Sequence, residues 1–286
     1  MPKYTSFKNS INIQMKNNII DFSTPKIMGI LNLSADSFFD GGKYSTNQQI
    51  IQRCQDMINE GADIIDIGAS SSRPGSKFVT QKEELERLLP TIQILKERFN
   101  NIIISIDTWR STVAKECLEN NADMINDISA GDLDPNIIPI IAEYQVPYII
   151  THMQGTPTNM QEKPYYKNVV HDVFSYLKNK IKEIQKNGVT KIIIDPGFGF
   201  GKTIEHNYKL LNNLNFFQKL KLPILAGTSR KSMIYKLLKS SPKEALNGTT
   251  VTNTVALQNG ANILRVHDVK EARECIKIFN FAKNIE

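Results

Sequence analysis

The sequence is poor in cysteine, in long apolar runs and in blocks of like charge, and each of these absences excludes a class of protein. Cys54, Cys117 and Cys275 lie far apart and are odd in number, which fits neither a disulfide framework nor a metal-binding motif. No apolar stretch approaches the roughly 20 residues that a membrane-spanning helix requires. The N-terminal residues also lack the apolar core of a signal peptide, so we expect a cytoplasmic protein.

The net charge of the chain is positive, +6 over 286 residues, but the lysines are scattered along it. A nucleic-acid-binding surface concentrates its basic residues in a patch or block, so we predict no nucleic-acid partner. The charge balance instead suits an anionic small-molecule substrate. A content of 41% hydrophobic and 22% charged residues is typical of a folded globular protein.

Eight short apolar runs dominate the chain after residue 26, and segments of helical spacing separate them. The runs are rich in isoleucine and nearly continuous, as in strands that are covered on both faces. They occupy residues 27–33, 63–69, 102–107, 124–129, 147–153, 191–197, 223–229 and 261–268. The alternation of strand and helix predicts an α/β protein with a parallel sheet over residues 27–286.

Residues 1–26 form an N-terminal extension to this repeating pattern. Their segment 11–23 has the pattern of a β-hairpin that turns at Asn17 and Asn18. We expect this hairpin to close the bottom of the sheet, so that the whole chain makes a single domain.

Polar residues end nearly every apolar run, and their distribution favours a closed barrel over an open sheet. An open, doubly wound sheet gathers its chemistry at one switch point and leaves the outer strands without it. Here the first and last runs both end in polar groups, which closure explains because it places them side by side. We therefore predict a (β/α)8 TIM barrel whose site lies at the C-terminal end of the strands.

A glycine-rich segment, "DPGFGFGKT", follows the sixth run, and it matches neither phosphate-binding motif. The P-loop requires a glycine where Pro196 stands, and the dinucleotide motif requires one at Lys202. We instead expect the strand to continue through Asp195, because a residue before proline favours extended geometry. The glycines then let the backbone approach a ligand, and the phenylalanines offer it flat faces. A tight turn with Asp195 as a helix cap remains the alternative.

Two groups of strand-end residues point to two binding chemistries. Asp107, Asn126 and Asp195 offer the acceptors and donors that a guanidine-like ring needs, and Lys231 neutralises them. Arg265 and His267 alternate along the last strand and so face the same way. Together with Asn32 and the serines and arginine of residues 71–73, they suit a polyphosphate with Mg2+. An ion pair between Arg265 and Asp268 is the alternative for that arginine.

These residues lie in motifs that resemble the dihydropteroate synthase family in order, from Ile27 to Ala282. The matching segments are "IMGILNLSADSFFDGGKY", "DIGASSSRPGS", "SIDTWR", "MINDISAG", "THMQGTP", "IIIDPGFGFGKT", "LAGTSRKSM" and "GANILRVHD". The family condenses (7,8-dihydropterin-6-yl)methyl diphosphate with 4-aminobenzoate, gives 7,8-dihydropteroate for folate synthesis and is the target of sulfonamides. The resemblance implies this activity, Mg2+ as cofactor and a homodimer.

The resemblance also implies roles for individual residues. The implied pterin-binding residues are Asp107, Asn126, Met153, Asp195, Gly227 and Lys231. The implied diphosphate-binding residues are Asn32, Ser72, Arg73, Arg265 and His267, with Asn32 also linked to the metal. The implied aminobenzoate-binding residues are Phe38, Ser72, Phe200, Lys231 and Ser232. Asp40, Asp107 and Lys231 are the implied catalytic residues.

The chain departs from the family in its first two loops. Leu33-Ser34-Ala35 replaces Val-Thr-Pro, and Ala69-Ser70 replaces Gly-Glu, while Ser72 stands where threonine is common. These differences concern loop dynamics, the surroundings of the aminobenzoate and sulfonamide sensitivity rather than the reaction.

Two other functions compete with the synthase. A barrel of the methyltetrahydrofolate:corrinoid methyltransferase type would share the Asp and Asn ring readers but would not need Arg265, His267 and "TSRKS" to bind diphosphate. A non-catalytic basic binding protein would be expected to have lost some of the polar groups that are intact here.

Overall fold

The structure is a computed structural model and describes residues 11–15, 19–33, 46–69 and 79–285. Its strands are β1 (Asn12–Gln14), β2 (Ile19–Asp21), β3 (Lys26–Asn32), β4 (Ile64–Gly68), β5 (Ile103–Asp107), β6 (Met124–Asp127), β7 (Tyr148–Thr151), β8 (Ile192–Asp195), β9 (Leu225–Ala226) and β10 (Ile263–Val266). Its α-helices are α1 (Asn47–Glu60), α2 (Gln81–Arg98), α3 (Ser111–Glu119), α4 (Ile137–Tyr144), α5 (Val169–Lys186), α6 (Ile204–Asn212), α7 (Ser232–Tyr235), α8 (Leu246–Gln258) and α9 (Val269–Asn284). Short 3-10 helices span Leu214–Leu220 and Pro242–Glu244.

Within the described residues, eight parallel strands form a nearly closed barrel. Their hydrogen-bonded order is β8–β7–β6–β5–β4–β3–β10–β9. A parallel bridge between Ile194 and Ile224 joins the two ends of this sheet. Because the first barrel strand, β3, pairs directly with the last, β10, the predicted TIM barrel is confirmed. The seventh run is a short strand of two residues rather than the full length expected from its sequence.

Local signals in the sequence set the ends of several helices. Thr46, Thr80 and Thr203 form capping boxes at the starts of α1, α2 and α6, in which each side chain accepts a backbone N–H of the first turn. Gly61 ends α1 in the left-handed conformation that favours glycine, with φ 101°. None of the described helices has the length and apolar character needed to span a membrane.

The N-terminal hairpin covers the bottom of the barrel, as the sequence predicts. β1 and β2 pair antiparallel with Ile13 opposite Ile20, and the turn residues Asn17 and Asn18 lie outside the described residues. One face of the hairpin is buried against the inward-facing side chains at the starts of the barrel strands. This cluster contains Ile13, Met15, Ile20, Phe22, Met28, Ile64, Met124, Ile149, Ile193, Leu225 and Ile263.

A second, larger apolar cluster fills the layer between the strands and the helices. Residues on the outward face of each strand, such as Ile65, Ile104 and Ile194, pack there against the helices. Cys54, Cys117 and Cys275 are buried thiols within it, which confirms their interpretation as core residues. The strands are therefore covered by apolar residues on their outer face and, at their starts, on their inner face, whereas their C-terminal ends carry the polar groups described next.

Candidate active site

The inward-facing residues of the barrel strands change from apolar to polar towards the C-terminal end. Because side chains alternate between the two faces of a strand, the residue two positions after each apolar floor residue also faces inward. These next positions carry Asp66, Ser105, Asn126, Asp195 and Arg265, all of them buried or nearly so. The barrel therefore holds a polar layer directly above its apolar floor, at the end where sites of this fold lie.

Arg265 sits between two carboxylates at the centre of this layer. Its Nε donates to Oδ2 of Asp66 at 2.6 Å, and its Nη2 donates to Oδ2 of Asp107 at 2.7 Å. Asp66 Oδ2 also accepts a hydrogen bond from Nδ2 of Asn126 at 3.1 Å. The alternative pairing of Arg265 with Asp268 is wrong, because Asp268 instead forms a two-bond ion pair with Arg230.

The electrostatics of this network follow from burial and mutual charge. Burial raises the pKa of Asp107 to about 7, against the opposing effect of the Arg265 charge and with a further increase from Asp66. Burial acts to lower the pKa of Arg265, but the charges of Asp66 and Asp107 outweigh it, so the pKa is raised. Arg265 is therefore a permanent cation, whereas Asp107 titrates near neutral pH.

Buried Asp195 and half-buried Lys231 are neighbouring groups of opposite charge. β8 continues through Asp195, as predicted from the following proline, and Gly197 N donates to Asp195 Oδ1 at 2.7 Å. Burial raises the pKa of Asp195, while the nearby Lys231 charge acts in the opposite direction. Burial lowers the pKa of Lys231 to about 8, and Asp195 partly offsets that decrease. Asp195 does not cap a helix, because Thr203 caps α6, so the helix-cap alternative is wrong.

The glycine-rich loop is shaped by close contact with the protein's own backbone. A Cβ on Gly197, whose φ is +76°, would lie 1.9 Å from the carbonyl oxygen of His152. A Cβ on Gly201 would lie 2.5 Å from the carbonyl oxygen of Gln154. We expected these glycines to allow the approach of a ligand, but the close neighbours of Gly197 and Gly201 are in the loop after β7. The glycines serve Asp195 by letting two loops pack tightly beneath it.

Lys231 bridges the glycine-rich loop and the β9–α7 segment. Its Nζ donates to the carbonyl oxygen of Phe198 at 2.5 Å and lies 4.9 Å from the ring centroid of Phe200. A Cβ on Gly227 would lie 3.7 Å from the same Nζ, an ordinary van der Waals contact, which places Gly227 next to the lysine. Ser232 begins α7, a single turn that follows directly. Lys231, Phe200, Gly227 and Ser232 thus lie close together.

Lys202 is a further buried residue of this region, and it is not among the predicted site residues. Its Nζ approaches Nδ1 of His152 at 2.9 Å, the carbonyl oxygen of His152 at 3.3 Å and that of Phe200 at 3.0 Å. Burial lowers the pKa of Lys202 well below its ordinary value, and Asp195 opposes that decrease. The sequence signal for Lys202 is its place directly after three alternating glycines, because a lysine there can bind the loop that the glycines shape.

Ser229 follows β9 and His267 follows β10, and their side chains are neighbours. The Oγ of Ser229 and Nδ1 of His267 are 3.0 Å apart, and the same Oγ accepts the backbone N–H of His267. Burial, together with the charges of Arg265, Arg230, Arg53 and Lys231, lowers the pKa of His267 to about 3. His267 is therefore neutral at pH 7, and the positive charge expected for anion binding comes from Arg265.

The remaining predicted residues divide into those within and those outside the described ranges. Asn32 ends β3 beside Asp107, because a Cβ on Gly68 would lie 3.5 Å from the Asp107 Cβ and 3.7 Å from the Asn32 Oδ1. Met153 follows β7 and is half-buried. Phe38, Asp40, Ser72 and Arg73 lie outside the described residues.

A metal ion at this site would depend on few protein ligands. Across the described ranges, no group of three or more His, Cys, Asp or Glu side chains is placed to hold one. Mg2+ nonetheless often binds through one or two protein oxygens together with substrate phosphates. The amide oxygen of half-buried Asn32, at the mouth of the barrel, fits that mode of binding.

Comparisons with known proteins agree with this geometry. The family described as "Pterin binding enzyme" matches residues 28–267. The dihydropteroate synthase of Haemophilus influenzae is 41% identical over 270 residues, which cover 94% of this chain and 98% of that protein.

Solved structures match almost the whole chain. A Yersinia pestis dihydropteroate synthase crystallised with a sulfonamide drug superposes with a TM-score of 0.93 at 38% identity, covering 96% of this chain and 100% of that one. A Xanthomonas albilineans dihydropteroate synthase with 4-aminobenzoic acid superposes with a TM-score of 0.89 at 33% identity, covering 97% and 100%.

Proposed function

This chain belongs to the dihydropteroate synthases of the pterin-binding enzyme family, and from that premise we propose how its own residues carry out the reaction. The enzyme is a transferase that condenses (7,8-dihydropterin-6-yl)methyl diphosphate with 4-aminobenzoate to give 7,8-dihydropteroate and diphosphate. The observation that carries the proposal is the convergence of Asp107, Asn126, Asp195, Lys231 and Arg265 on one barrel mouth. The corrinoid methyltransferase alternative does not account for that set.

We assign recognition of the pterin ring to the acidic half of the mouth. A pterin edge alternates donors and acceptors, and Asp195 and Asn126 offer a buried carboxylate and a buried amide to match it. Lys231, mostly charged at pH 7, balances Asp195 and offers donors to a ring carbonyl. Met153 and Gly227 would flank the ring. The packing of Gly197 and Gly201 against the neighbouring loop holds this half in place before the substrate arrives.

We assign the diphosphate to the basic half of the mouth. Arg265 supplies a permanent positive charge, and neutral His267 and Ser229 supply hydrogen-bonding groups beside it. Asn32 would hold Mg2+ together with phosphate oxygens, and the metal would supply further charge neutralisation for the leaving group. Ser72 and Arg73 of the second loop would add to this half.

The reaction forms a bond between the amine nitrogen and the methylene carbon as the bond from that carbon to the diphosphate oxygen breaks. The electron-rich pterin stabilises positive charge at the methylene carbon, so the carbon–oxygen bond breaks early. Asp107, and Asp40 of the first loop, would stabilise that charge. An aryl amine is neutral at pH 7, so its attack requires positioning rather than a strong base, and the anilinium nitrogen that the attack forms then loses its extra proton to water. Phe38, Phe200 and Ser232 would position the aminobenzoate.

The decisive experiment measures diphosphate release from the pterin diphosphate with and without 4-aminobenzoate. We expect release to require the amine and Mg2+, and to stop when a chelator is added. Release at the same rate without 4-aminobenzoate would contradict the proposal. A matched test of the site is Lys231→Ala, for which we expect loss of pterin-diphosphate binding in a folded protein.

We further propose that the enzyme is a cytoplasmic homodimer. The packed helices α8 and α9 expose large apolar side chains, among them Val251 at 55%, Ile278 at 70% and Phe281 at 71%. Apolar side chains exposed to this degree on neighbouring helices suit the interface between two copies of the chain. Sedimentation velocity should show a dimer that Phe281→Glu weakens, and a monomer at micromolar concentration would contradict the assignment. Cell fractionation tests the location.

A further inference from the structure

We propose that Asp66 is a positioning residue for the reaction, because one carboxylate fixes both the amide of Asn126 and the guanidinium of Arg265. It would thereby fix the relative position of Asn126, which binds the pterin, and Arg265, which binds the diphosphate. The inference rests on the proposed function, since it concerns how the same mouth is organised. Asp66 has no direct role in the scheme above.

Burial of the Asp66 carboxylate costs folding free energy unless fixed hydrogen-bond donors compensate for the lost water. The residue lies in the middle of β4, faces the barrel interior and is fully buried. Its neighbours in register are Ile30 on β3 and Ser105 on β5, which bring no charge. A carboxylate removed from water in this way depends on its remaining donors, and among the described residues these are Asn126 and Arg265, both at Oδ2, while Oδ1 has none.

The bond to Asp66 determines which way the Asn126 amide points. An ionised carboxylate only accepts hydrogen bonds, so the amide must turn Nδ2 towards Asp66 and Oδ1 away from it. Asn126 is itself nearly fully buried, at 4% exposure, so water cannot substitute for this partner. Without Asp66 the two amide orientations would become similar in energy, and the acceptor presented to the pterin would no longer be fixed.

The bond to Asp66 also holds the Arg265 guanidinium in one plane. Asp66 on β4 accepts a hydrogen bond from Nε, and Asp107 on β5 accepts one from Nη2. Two donors of the planar guanidinium are therefore held by different strands. Among the described residues no hydrogen bond from Nη1 is found, which leaves that corner for an anion. If Asp66 were lost, the guanidinium would keep a single partner and could rotate about it.

The register neighbour Ser105 offers a matched control. Ser105 is also fully buried and inward-facing, on the strand next to Asp66. Its Oγ has no hydrogen-bond partner within the described part of the chain, so it orients neither Asn126 nor Arg265. Ser105→Ala therefore removes a buried polar atom from the same layer without disturbing the positioning bonds.

The test compares Asp66→Asn, Asp66→Ala and Ser105→Ala in steady-state diphosphate release. Loss of hydrogen bonds to a charged group predicts that kcat/KM for the pterin diphosphate falls about 10-fold in Asp66→Asn and about 100-fold in Asp66→Ala. The KM for 4-aminobenzoate should stay within about twofold in every variant. Ser105→Ala leaves the positioning bonds intact and should stay within about twofold in all parameters.

The pH profile separates positioning from a general loss of stability. Asp107 is faced by charged groups from several elements, namely Arg265, Asp66, Glu84, Asp127 and Lys231. Removing the negative charge of Asp66 removes an influence that raises the pKa of Asp107. The acidic limb of the kcat/KM profile should therefore move to lower pH in Asp66→Asn and stay in place in Ser105→Ala.

The outcomes distinguish this inference from the proposed function. If the unaltered enzyme shows no aminobenzoate-dependent release, the function fails and the Asp66 variants are not needed to show it. If the enzyme is active and Asp66→Asn matches it in kcat/KM and pH profile, the positioning role is overturned. Should both Asp66 variants fail to fold, hydrogen exchange of the Asn126 side-chain amide in the unaltered protein tests the inference instead. The amide protons should exchange slowly with deuterium, and fast exchange would overturn the inference.

Discussion

Replacing Gly197 by alanine tests whether the glycine-rich loop exists to hold Asp195 in place. Gly197 lies two residues after Asp195 and donates its N–H to that carboxylate. A methyl group at this position would meet the His152 carbonyl oxygen at 1.9 Å and the Thr151 Cγ2 at 3.2 Å. Gly188, after α5, has a similar φ of +87°, but its added Cβ would meet nothing closer than the Ala142 Cβ at 4.0 Å. Gly188→Ala is therefore the matched control.

The expected magnitudes follow from these contacts. Both variants place alanine in the left-handed region, which costs about 1–2 kcal/mol of folding free energy. Gly197→Ala must in addition move backbone by roughly 1 Å to relieve its overlap, and overpacking of this kind adds about 1–3 kcal/mol. Because the moved backbone carries Asp195, a displacement of about 1 Å should also reduce activity by about 100-fold.

The assays are urea unfolding and diphosphate release, measured on both variants. We expect Gly188→Ala to lower the unfolding free energy by only about 1–2 kcal/mol, the cost of the left-handed conformation, and to retain full activity. Gly197→Ala should lose more stability and most of its kcat/KM for the pterin diphosphate. Equal losses of stability and activity in the two variants would refute the idea that the loop packing positions Asp195.

Two further predictions concern charged groups of the site, one on the pH profile and one on stability. The profile of kcat/KM for the pterin diphosphate should be bell-shaped with a maximum between pH 7 and 8. At pH values below the pKa of Asp107, about 7, kcat/KM decreases because that carboxylate is protonated. At pH values above the pKa of Lys231, about 8, it decreases because that amine loses its proton. A flat profile from pH 6 to 9 would contradict these assignments. Lys202→Met should lower the unfolding free energy by roughly 2–4 kcal/mol, because it leaves buried acceptors on His152 and Phe200 unpaired. Exposed Lys182→Met on α5 should change it by less than about 0.5 kcal/mol, and equal effects would show that Lys202 is not a structural tie.

The fold and the position of the site could be predicted because their signals are local. Continuous isoleucine runs, capping threonines and strand-end polar residues each involve a few neighbouring positions. The step from an apolar to a polar residue two positions later, as in Ile193 and Asp195, even shows which strand-end groups face inward. Parallel strands carry such groups to one end, so the strand-end residues within the described ranges meet at one mouth.

The partners of these groups could not be predicted, because they depend on contacts between distant parts of the chain. Asp66 meets Asn126 across 60 positions and Arg265 across 199. Lys202 meets His152 across 50 positions. The neutral state of His267 is also hidden, since it results from burial and from four surrounding cations. A sequence shows which residue types occur, but the strand register decides which of them share a hydrogen bond.

The two carboxylates on Arg265 differ in a way that assigns them different tasks. The Asp66 side chain is fully buried and also holds Asn126, whereas the Asp107 side chain is 17% exposed at the end of its strand. A diphosphate that approaches Arg265 from the mouth reaches the partner on that side, which is Asp107. We infer that Asp107 exchanges with the substrate during the reaction cycle while Asp66 remains bound to Arg265 throughout. An arginine anchored on its buried side can meet a highly charged ligand without losing its orientation.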